Sequence, residues 1–243
     1  MKKQEKVNLL DFQRNLNNQF ERIFDKDSSQ NNEDFKNEDT NLGLLNKIKD
    51  YNFYISLNEL KNISSTNKYE NINITKSWIL GVNHVQNDVY TIINIEKVLD
   101  VIKNKKSDFH YEDSSNDSNI VYLKTYEETN LGIVINKLEL LNIKSYNPLY
   151  SFVVDNDICY WESNSENKLE NIKNDLNIEE FNFLSKINNL IELNKKVSIR
   201  DVKDEEDLFC YIIKKIILGT DNKLILILNV EMLIKILGDM PPY

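Results

Sequence analysis

The sequence predicts a mainly β protein built from two similar β-barrel subdomains, and three observations lead there. Runs of β-branched and aromatic residues recur along the chain: Leu42-Gly-Leu-Leu, Asn52-Phe-Tyr-Ile-Ser-Leu, Val89-Tyr-Thr-Ile-Ile-Asn-Ile, Ile120-Val-Tyr-Leu, Leu131-Gly-Ile-Val-Ile, Ser151-Phe-Val-Val, Ile158-Cys-Tyr-Trp and Leu224-Ile-Leu-Ile-Leu. Turn signals rich in Asn and Asp separate most of them, at Lys49-Asp50, Asn87-Asp88, Asp155-Asn-Asp and Asp221-Asn222. Several runs are apolar without alternation, which suits strands covered on both faces in closed barrels or sandwiches. Connections between them are too short for helical crossovers, so the pairing is expected to be mostly antiparallel.

The third observation is an internal repeat. Thr91-Ile-Ile-Asn-Ile-Glu-Lys-Val-Leu is echoed by Leu226-Ile-Leu-Asn-Val-Glu-Met-Leu-Ile, with Asn94 and Asn229 aligned at 229 − 94 = 135 residues. Each copy follows an Asn/Asp turn and passes from a strand into a short helix for which the Asn is the expected N-cap. A weaker match sets Phe53-Tyr-Ile-Ser-Leu-Asn-Glu-Leu beside Gly132-Ile-Val-Ile-Asn-Lys-Leu-Glu. One duplication of this length predicts two related subdomains, because a solenoid needs shorter periods and more copies.

Around the repeat lie segments of other character. Leu9, Phe12, Leu16, Phe20 and Ile23 share one face of an amphipathic helix over residues 8–24, with Asn8 as its cap. That helix could dock in a partner's groove or strap the barrel. Residues 25–41 are acidic and Asn-rich, with Phe35 the one large apolar side chain, and are expected to form a flexible linker. Residues 1–41 thus form an N-terminal helix and linker ahead of a domain over 42–237, with one barrel mainly in 42–102 and the other mainly in 120–237. A polar stretch, 103–119, joins the two. A helical insertion over about 162–196 is expected from Leu169, Ile172, Leu176, Phe181, Leu184, Ile187 and Ile191, with Asn177 and Glu180 spaced as a capping box.

Composition narrows the function. The 243 residues carry 30 basic and 39 acidic side chains, a net charge of −9 and a pI near 4.9. No cluster of Lys and Arg is present to neutralise a phosphate backbone, so nucleic acid is not an expected partner. No apolar segment follows the charged N-terminus and no uncharged run reaches the length of a span, so neither a signal peptide nor direct membrane insertion is expected, and the location is read as cytoplasmic. Two cysteines, Cys159 and Cys210, are too few for a thiolate metal site or a disulfide framework.

No catalytic constellation emerges. The two histidines, His84 and His110, stand far apart with no paired Cys or carboxylate motif, and read as surface residues. Cys159 sits among apolar neighbours and reads as a buried, inert thiol. Phosphate-binding Gly loops, Gly-x-Ser-x-Gly and His-Glu-x-x-His are missing. No enzyme activity, cofactor or metal is expected; a β-barrel enzyme with dispersed catalytic residues and an unrelated β-barrel scaffold module are the alternatives.

The segment Trp78-Ile-Leu-Gly-Val-Asn-His-Val-Gln-Asn-Asp-Val-Tyr-Thr-Ile-Ile-Asn-Ile resembles the signature of the CheW-like chemotaxis adaptors. In that signature a bulky residue and Gly precede Asn-Leu-Arg-Gly, followed by a hydrophobic pair, Pro, two apolar residues, Asp and Leu. Gly81, Val85, Val89, Ile92, Ile93 and Ile95 fit it without a gap. Phe53-Tyr-Ile-Ser-Leu-Asn-Glu-Leu-Lys-Asn-Ile, Leu131-Gly-Ile-Val-Ile-Asn-Lys-Leu and the final Leu-Ile-Leu-Asn-Val-Glu-Met-Leu resemble further strands of the family, so the likeness covers most of 42–141 and 209–237. The N-terminal extension resembles the PilI-like adaptors of twitching motility and type IV pilus systems.

The resemblance implies two intertwined, five-stranded antiparallel barrels and a non-catalytic adaptor coupling a chemoreceptor's cytoplasmic tip to a CheA-like histidine kinase. It further implies recruitment to the membrane through receptor arrays. A receptor groove would use Leu57, Leu60, Ile63, Gly81, Gln86 and Leu141, with Leu60 and Leu141 as anchors. Kinase contacts would lie at the turns Asn87-Asp88 or Asp221-Asn222. The chain departs from the family at polar positions: Gln86 stands where Arg is usual, Asn87 for Gly, Thr91 for Pro, and Asn94 and Asn136 for Asp. Losing the Arg removes a charge and a forked donor.

Overall fold

The computed structural model describes residues 41–64, 68–72, 76–102, 118–124, 128–135, 139–164, 172, 175–204, 208–219 and 222–239. The expected N-terminal helix, nearly all of the linker, and most of the 103–119 connection and of the helical stretch before Asp175 lie outside these residues.

Five strands form one sheet in the order β3-β6-β7-β5-β4, and eight form the other in the order β11-β10-β9-β12-β13-β2-β1-β8. In the first sheet β3 is Leu60–Ser64, β4 Ile79–Val85, β5 Asp88–Asn94, β6 Asn119–Leu123 and β7 Leu131–Ile135. The second holds β1 (Leu42–Ile48), β2 (Tyr51–Ser56), β8 (Glu139–Asn142), β9 (Pro148–Asp155), β10 (Ile158–Ser163), β11 (Val197–Ser198), β12 (Ile213–Leu218) and β13 (Leu224–Leu228). Four α-helices accompany them among the described residues: α1 (Ile95–Ile102), α2 (Ile178–Glu192), α3 (Leu208–Tyr211) and α4 (Val230–Asp239). The protein is mainly β; six of the eight strand runs read from the sequence lie wholly in strands, while Leu57 and Ile95 end the other two in a 3-10 segment and in α1.

The order β8-β1-β2-β13-β12 repeats β3-β6-β7-β5-β4 strand for strand. The correspondence extends to single hydrogen bonds. Asn94 Oδ1 accepts from Lys97 N–H at 3.2 Å at the start of α1, and Asn229 Oδ1 accepts from Met232 N–H at 3.2 Å at the start of α4. The Asn94 N–H donates to Trp78 O and the Asn229 N–H to Ile212 O. A bulge falls between Ile79 and Gly81 in β4 and between Ile213 and Lys215 in β12. The bulge also explains why β12 was illegible as a strand: the extra residue lets Lys214 and Lys215, consecutive in sequence, both face solvent.

The parallel ladders correct the weaker sequence match by one residue. Thr91 pairs with Leu131 and Ile92 with Gly132, while Leu226 pairs with Phe53 and Ile227 with Tyr54. Phe53 therefore corresponds to Leu131, and Tyr54, not Phe53, to Gly132. These two parallel pairings are the exceptions in sheets otherwise antiparallel among the described residues.

Sheet membership does not follow the chain in two blocks. After β2 the chain turns through a 3-10 segment, Leu57–Glu59, and leaves the eight-stranded sheet for the five-stranded one as β3. After β7 it returns as β8. The expected blocks 42–102 and 120–237 thus exchange strands, β1-β2 against β6-β7.

No closed barrel is seen among the described residues, which corrects the expected fold. Among them no β3–β4 ladder joins the edges of the five-stranded sheet. Lys61 of β3 pairs with Asp88 of β5, but an exposed ion pair contributes little. The outer edge of β4 is met instead by Glu70, which exchanges two backbone hydrogen bonds with Val82. In the larger sheet the corresponding edge of β12 is taken by β9, with Ile216 opposite Tyr150. Because Val82 and Ile216 occupy matching positions beyond the two bulges, the edge that could close each barrel is pre-empted in the same place.

Each half has its own core. Leu80, Tyr90, Ile92, Ile120 and Tyr122 pack in the first, with the Tyr90 and Tyr122 rings edge-to-face at 4.9 Å. Tyr54, Ile217, Ile225 and Ile227 pack in the second. The halves exchange bulk at one pair of positions. A Cβ on Gly132 would stand 3.1 Å from Ile120 in the first, and a Cβ on Gly43 would stand 2.4 Å from the Tyr54 ring in the second. A large residue faces a glycine in both, on opposite strands, which conserves packed volume.

Burial alone holds the Tyr54 hydroxyl well above its ordinary pKa. Burial first, and then the neighbouring Glu179 carboxylate, does the same at Tyr51. The neutral ring is favoured in the folded state, so this contribution is complete below the unfolded phenol's pKa of about 10 and is lost as pH rises beyond it. Phenolate absorbance is expected to lag the other tyrosines and to appear together with alkaline unfolding. Full ionisation near the ordinary value with the fold intact would contradict the burial of these rings.

Candidate partner-binding surfaces

The residues expected to bind a receptor fall into three environments. Leu57 and Leu60 belong to the core, Leu60 at 0% exposure opposite Leu123. They can form the floor of a groove but offer no surface of their own. Ile63 on β3 and Leu141 on β8 are half-buried. Leu141 lies against the Tyr54 core together with Ile143 and Tyr146, opposite Gly43 of β1. β3 and β8 are the matching outer strands of the duplication, so Ile63 and Leu141 occupy related edges of two different sheets.

Gly81 allows a close backbone approach, as expected, but the approach comes from the chain itself. A Cβ there would stand 2.2 Å from the Glu70 carbonyl oxygen and 2.9 Å from the Tyr69 ring. Those neighbours are held by the Glu70–Val82 bridge, with Val82 N–H donating to Glu70 O at 2.9 Å and Glu70 N–H to Val82 O at 2.7 Å.

The β4–β5 hairpin end presents Gln86 and Asn87 to solvent. Gln86 has a φ of 56°, in the left-handed region, which glycine tolerates best. Val89 beside them is 50% exposed, and His84 is exposed on β4. At the β12–β13 end Asp221 lies outside the described residues, while the Asn222 amide donates to Asp175 Oδ2 at 3.0 Å.

Two of the polar departures from the family pattern have local reasons. The Thr91 N–H donates to Asn130 O at 3.0 Å, a bond that proline could not make. Asn94 keeps, with an amide oxygen, the capping role that Asp would fill. Asn136 lies outside the described residues.

Sequence reasoning found the start of α2 but missed its reach. Asn177 and Glu180 form the expected capping box: Glu180 N–H donates to Asn177 Oδ1 at 2.8 Å and Asn177 N–H to Glu180 Oε2 at 3.1 Å. The second carboxylate oxygen of Glu180 accepts from Leu224 N–H, at 3.2 Å, across 44 residues. Glu180 is 2% exposed. The Asn177 side chain also donates to Asp50 O and the Tyr51 hydroxyl to Glu179, while Tyr51, Phe53, Phe183 and Phe209 form a ring cluster beneath. A buried glutamate at a cap position is the only signal, and it became readable once the strands were placed.

Among the described residues no group of three or more His, Cys, Asp and Glu could hold a metal ion, and no helix is long and apolar enough to cross a membrane. Cys159 is buried, its thiol directed at Val197 O at 3.2 Å. His110 lies outside the described residues.

No family model and no curated protein matches the chain. Among solved structures, the chain is similar to the scaffolding protein TtCheW from Thermoanaerobacter tengcongensis, at 10% identity and a TM-score of 0.45, over 84% of this chain and 93% of that one.

Proposed function

We propose that the chain is a non-catalytic adaptor that couples the cytoplasmic tip of a chemoreceptor to a CheA-like histidine kinase. The system would be of the type IV pilus or twitching-motility kind, in view of the N-terminal extension. The observation that supports this reading is the duplication. Two matched five-strand units, exchanging strands and each ending in an Asn-capped helix, agree with the intertwined pair that the sequence resemblance implies. Such an adaptor works by linkage: binding one conformation of the receptor–kinase assembly more tightly shifts that assembly by the difference in affinity.

The receptor groove of this proposal draws on Leu57, Leu60, Ile63, Gln86 and Leu141, while Gly81 admits the chain's own Glu70 beside it. Leu57 and Leu60 supply its floor, Ile63 and Leu141 the side chains a partner can reach. The test is capture of a receptor cytoplasmic tip and its CheA-like kinase by the tagged full chain from the native cell. Leu141→Ala is expected to weaken receptor-tip binding by about tenfold, as loss of an aliphatic anchor does, with a melting curve recorded alongside to separate folding from binding. With Gln86 in place of Arg, apolar packing carries the contact, so raising salt is expected to change the affinity only slightly. Capture of neither partner would sink the adaptor reading, and a steep salt dependence would sink the apolar groove.

A further inference from the structure

We infer that residues 68–72 form a strap that guards the edge of β4, and that its release lets β4 pair with β4 of a second copy of this chain. The guarded edge is then a latent dimer surface, and it stands independently of the adaptor reading above.

The outer strands themselves point to β4 as the edge in need of a guard. An edge strand offers unpaired backbone groups to any other chain, and charge or shortness ordinarily blunts that offer. Among the described residues β3, β4, β8 and β11 end the two sheets. β3 carries an exposed Lys61 and β8 an exposed Glu139, while β11 is two residues long. β12, whose edge β9 takes, carries Lys214 and Lys215. β4, Ile-Leu-Gly-Val-Asn-His-Val, runs for seven residues without an Asp, Glu, Lys or Arg.

The strap meets that edge at its middle. Val82 N–H donates to Glu70 O at 2.9 Å and Glu70 N–H to Val82 O at 2.7 Å, so an antiparallel neighbour satisfies both backbone groups of Val82. Tyr69 fixes the strap by packing against the core of Leu80, Tyr90 and Ile92. Gly81 makes room for it, since a Cβ there would stand 2.2 Å from the Glu70 carbonyl oxygen. Lys68 and Glu70, on either side of Tyr69, are exposed. The strap thus brings to the edge the charges that β4 lacks.

Release of the strap leaves Val82 with a donor and an acceptor to satisfy. An antiparallel pair of identical strands is its own complement around a two-fold axis, and a second β4 brings no like charge to oppose the pairing. Strand addition supplies the same kinds of bond that Glu70 supplied. The second half of the chain shows the matching edge of β12 accepting a full antiparallel strand, β9.

The test uses the full chain with Tyr69→Ser and Glu70→Pro together, which remove the core anchor and one of the two strap hydrogen bonds and leave β4 unaltered. Tyr69→Ser alone is carried in parallel against loss of folding in the pair, and a thermal melt reports the folded core. Sedimentation equilibrium is run at high salt, to screen the net charge of −9 on each copy, together with hydrogen exchange at the Val82 amide. In the dilute variant that amide should exchange about tenfold faster than in the parent, or more. As concentration rises, the mass should double and the protection return. A variant that stays monomeric at every concentration would overturn the inference, whether its Val82 amide is open or covered by another segment. A dimer in which that amide remains unprotected would overturn it too, because the copies would then meet elsewhere.

Discussion

Gly81→Ala should lower the stability of the chain by about 3 kcal/mol. The added Cβ would lie 2.2 Å from the Glu70 carbonyl oxygen and 2.9 Å from the carbonyl carbon. Backbone cannot rotate away as a side chain does. The 68–72 segment must move, and two hydrogen bonds between Glu70 and Val82 are lost together with the packing of Tyr69 on the Tyr90 core. Overpacking costs about 1–3 kcal/mol and each hydrogen bond about 1. For a chain of this size the melting temperature should fall by roughly 10 °C. Two other glycines serve as controls. Gly132→Ala meets Ile92 Cδ1 at 2.6 Å, the free end of a side chain that can turn aside, so its effect should be smaller. Gly238 in α4 has nothing within 4 Å of a new Cβ, and Gly238→Ala should be neutral or gain up to about 1 kcal/mol from helix propensity. If Gly81→Ala melts with the parent protein and weakens only partner binding, then the approach to Gly81 is made by the partner and not by Glu70.

The second large effect is expected at Glu180. Glu180→Ala removes a buried carboxylate that accepts from Asn177 N–H and Leu224 N–H, leaving the second of these with no partner inside the protein. Hydrogen bonds to a charged group contribute about 1.5–3 kcal/mol each, and an orphaned buried N–H adds its desolvation cost. A loss of about 2–4 kcal/mol follows. Hydrogen exchange separates this from simple fraying of the helix: protection at the Leu224 amide, in a strand buried on both faces, should fall with protection at the start of α2. Glu180→Gln keeps one acceptor oxygen and should recover part of the loss. A Leu224 amide that stays fully protected in Glu180→Ala would show that the helix does not hold the strand.

Local features were legible in the sequence because they depend on residues close together along the chain. The caps at Asn94 and Asn229 and the box at Asn177 and Glu180 each satisfy N–H groups within three residues, and the strand runs and their turns follow from side-chain type. The 135-residue duplication was legible for the same reason, as a repeated local pattern.

Long-range pairing decided the rest. The one-residue offset between Phe53 and Gly132 is set by parallel ladders whose register no short segment encodes. The exchange of β1-β2 with β6-β7 depends on where β2 and β7 lead, and both sheets accept strands of the same composition. Barrel closure failed because Glu70 and β9 reach the edges of β4 and β12 first, a competition between distant segments for the same row of backbone groups. Leu60, expected as an anchor, is fully buried, and its apolar character alone could not show that. Gly81 kept its reason, a close backbone approach, but the tertiary structure supplied a different neighbour. A sequence states which groups need partners over three or four residues; only the folded chain decides which distant groups meet them.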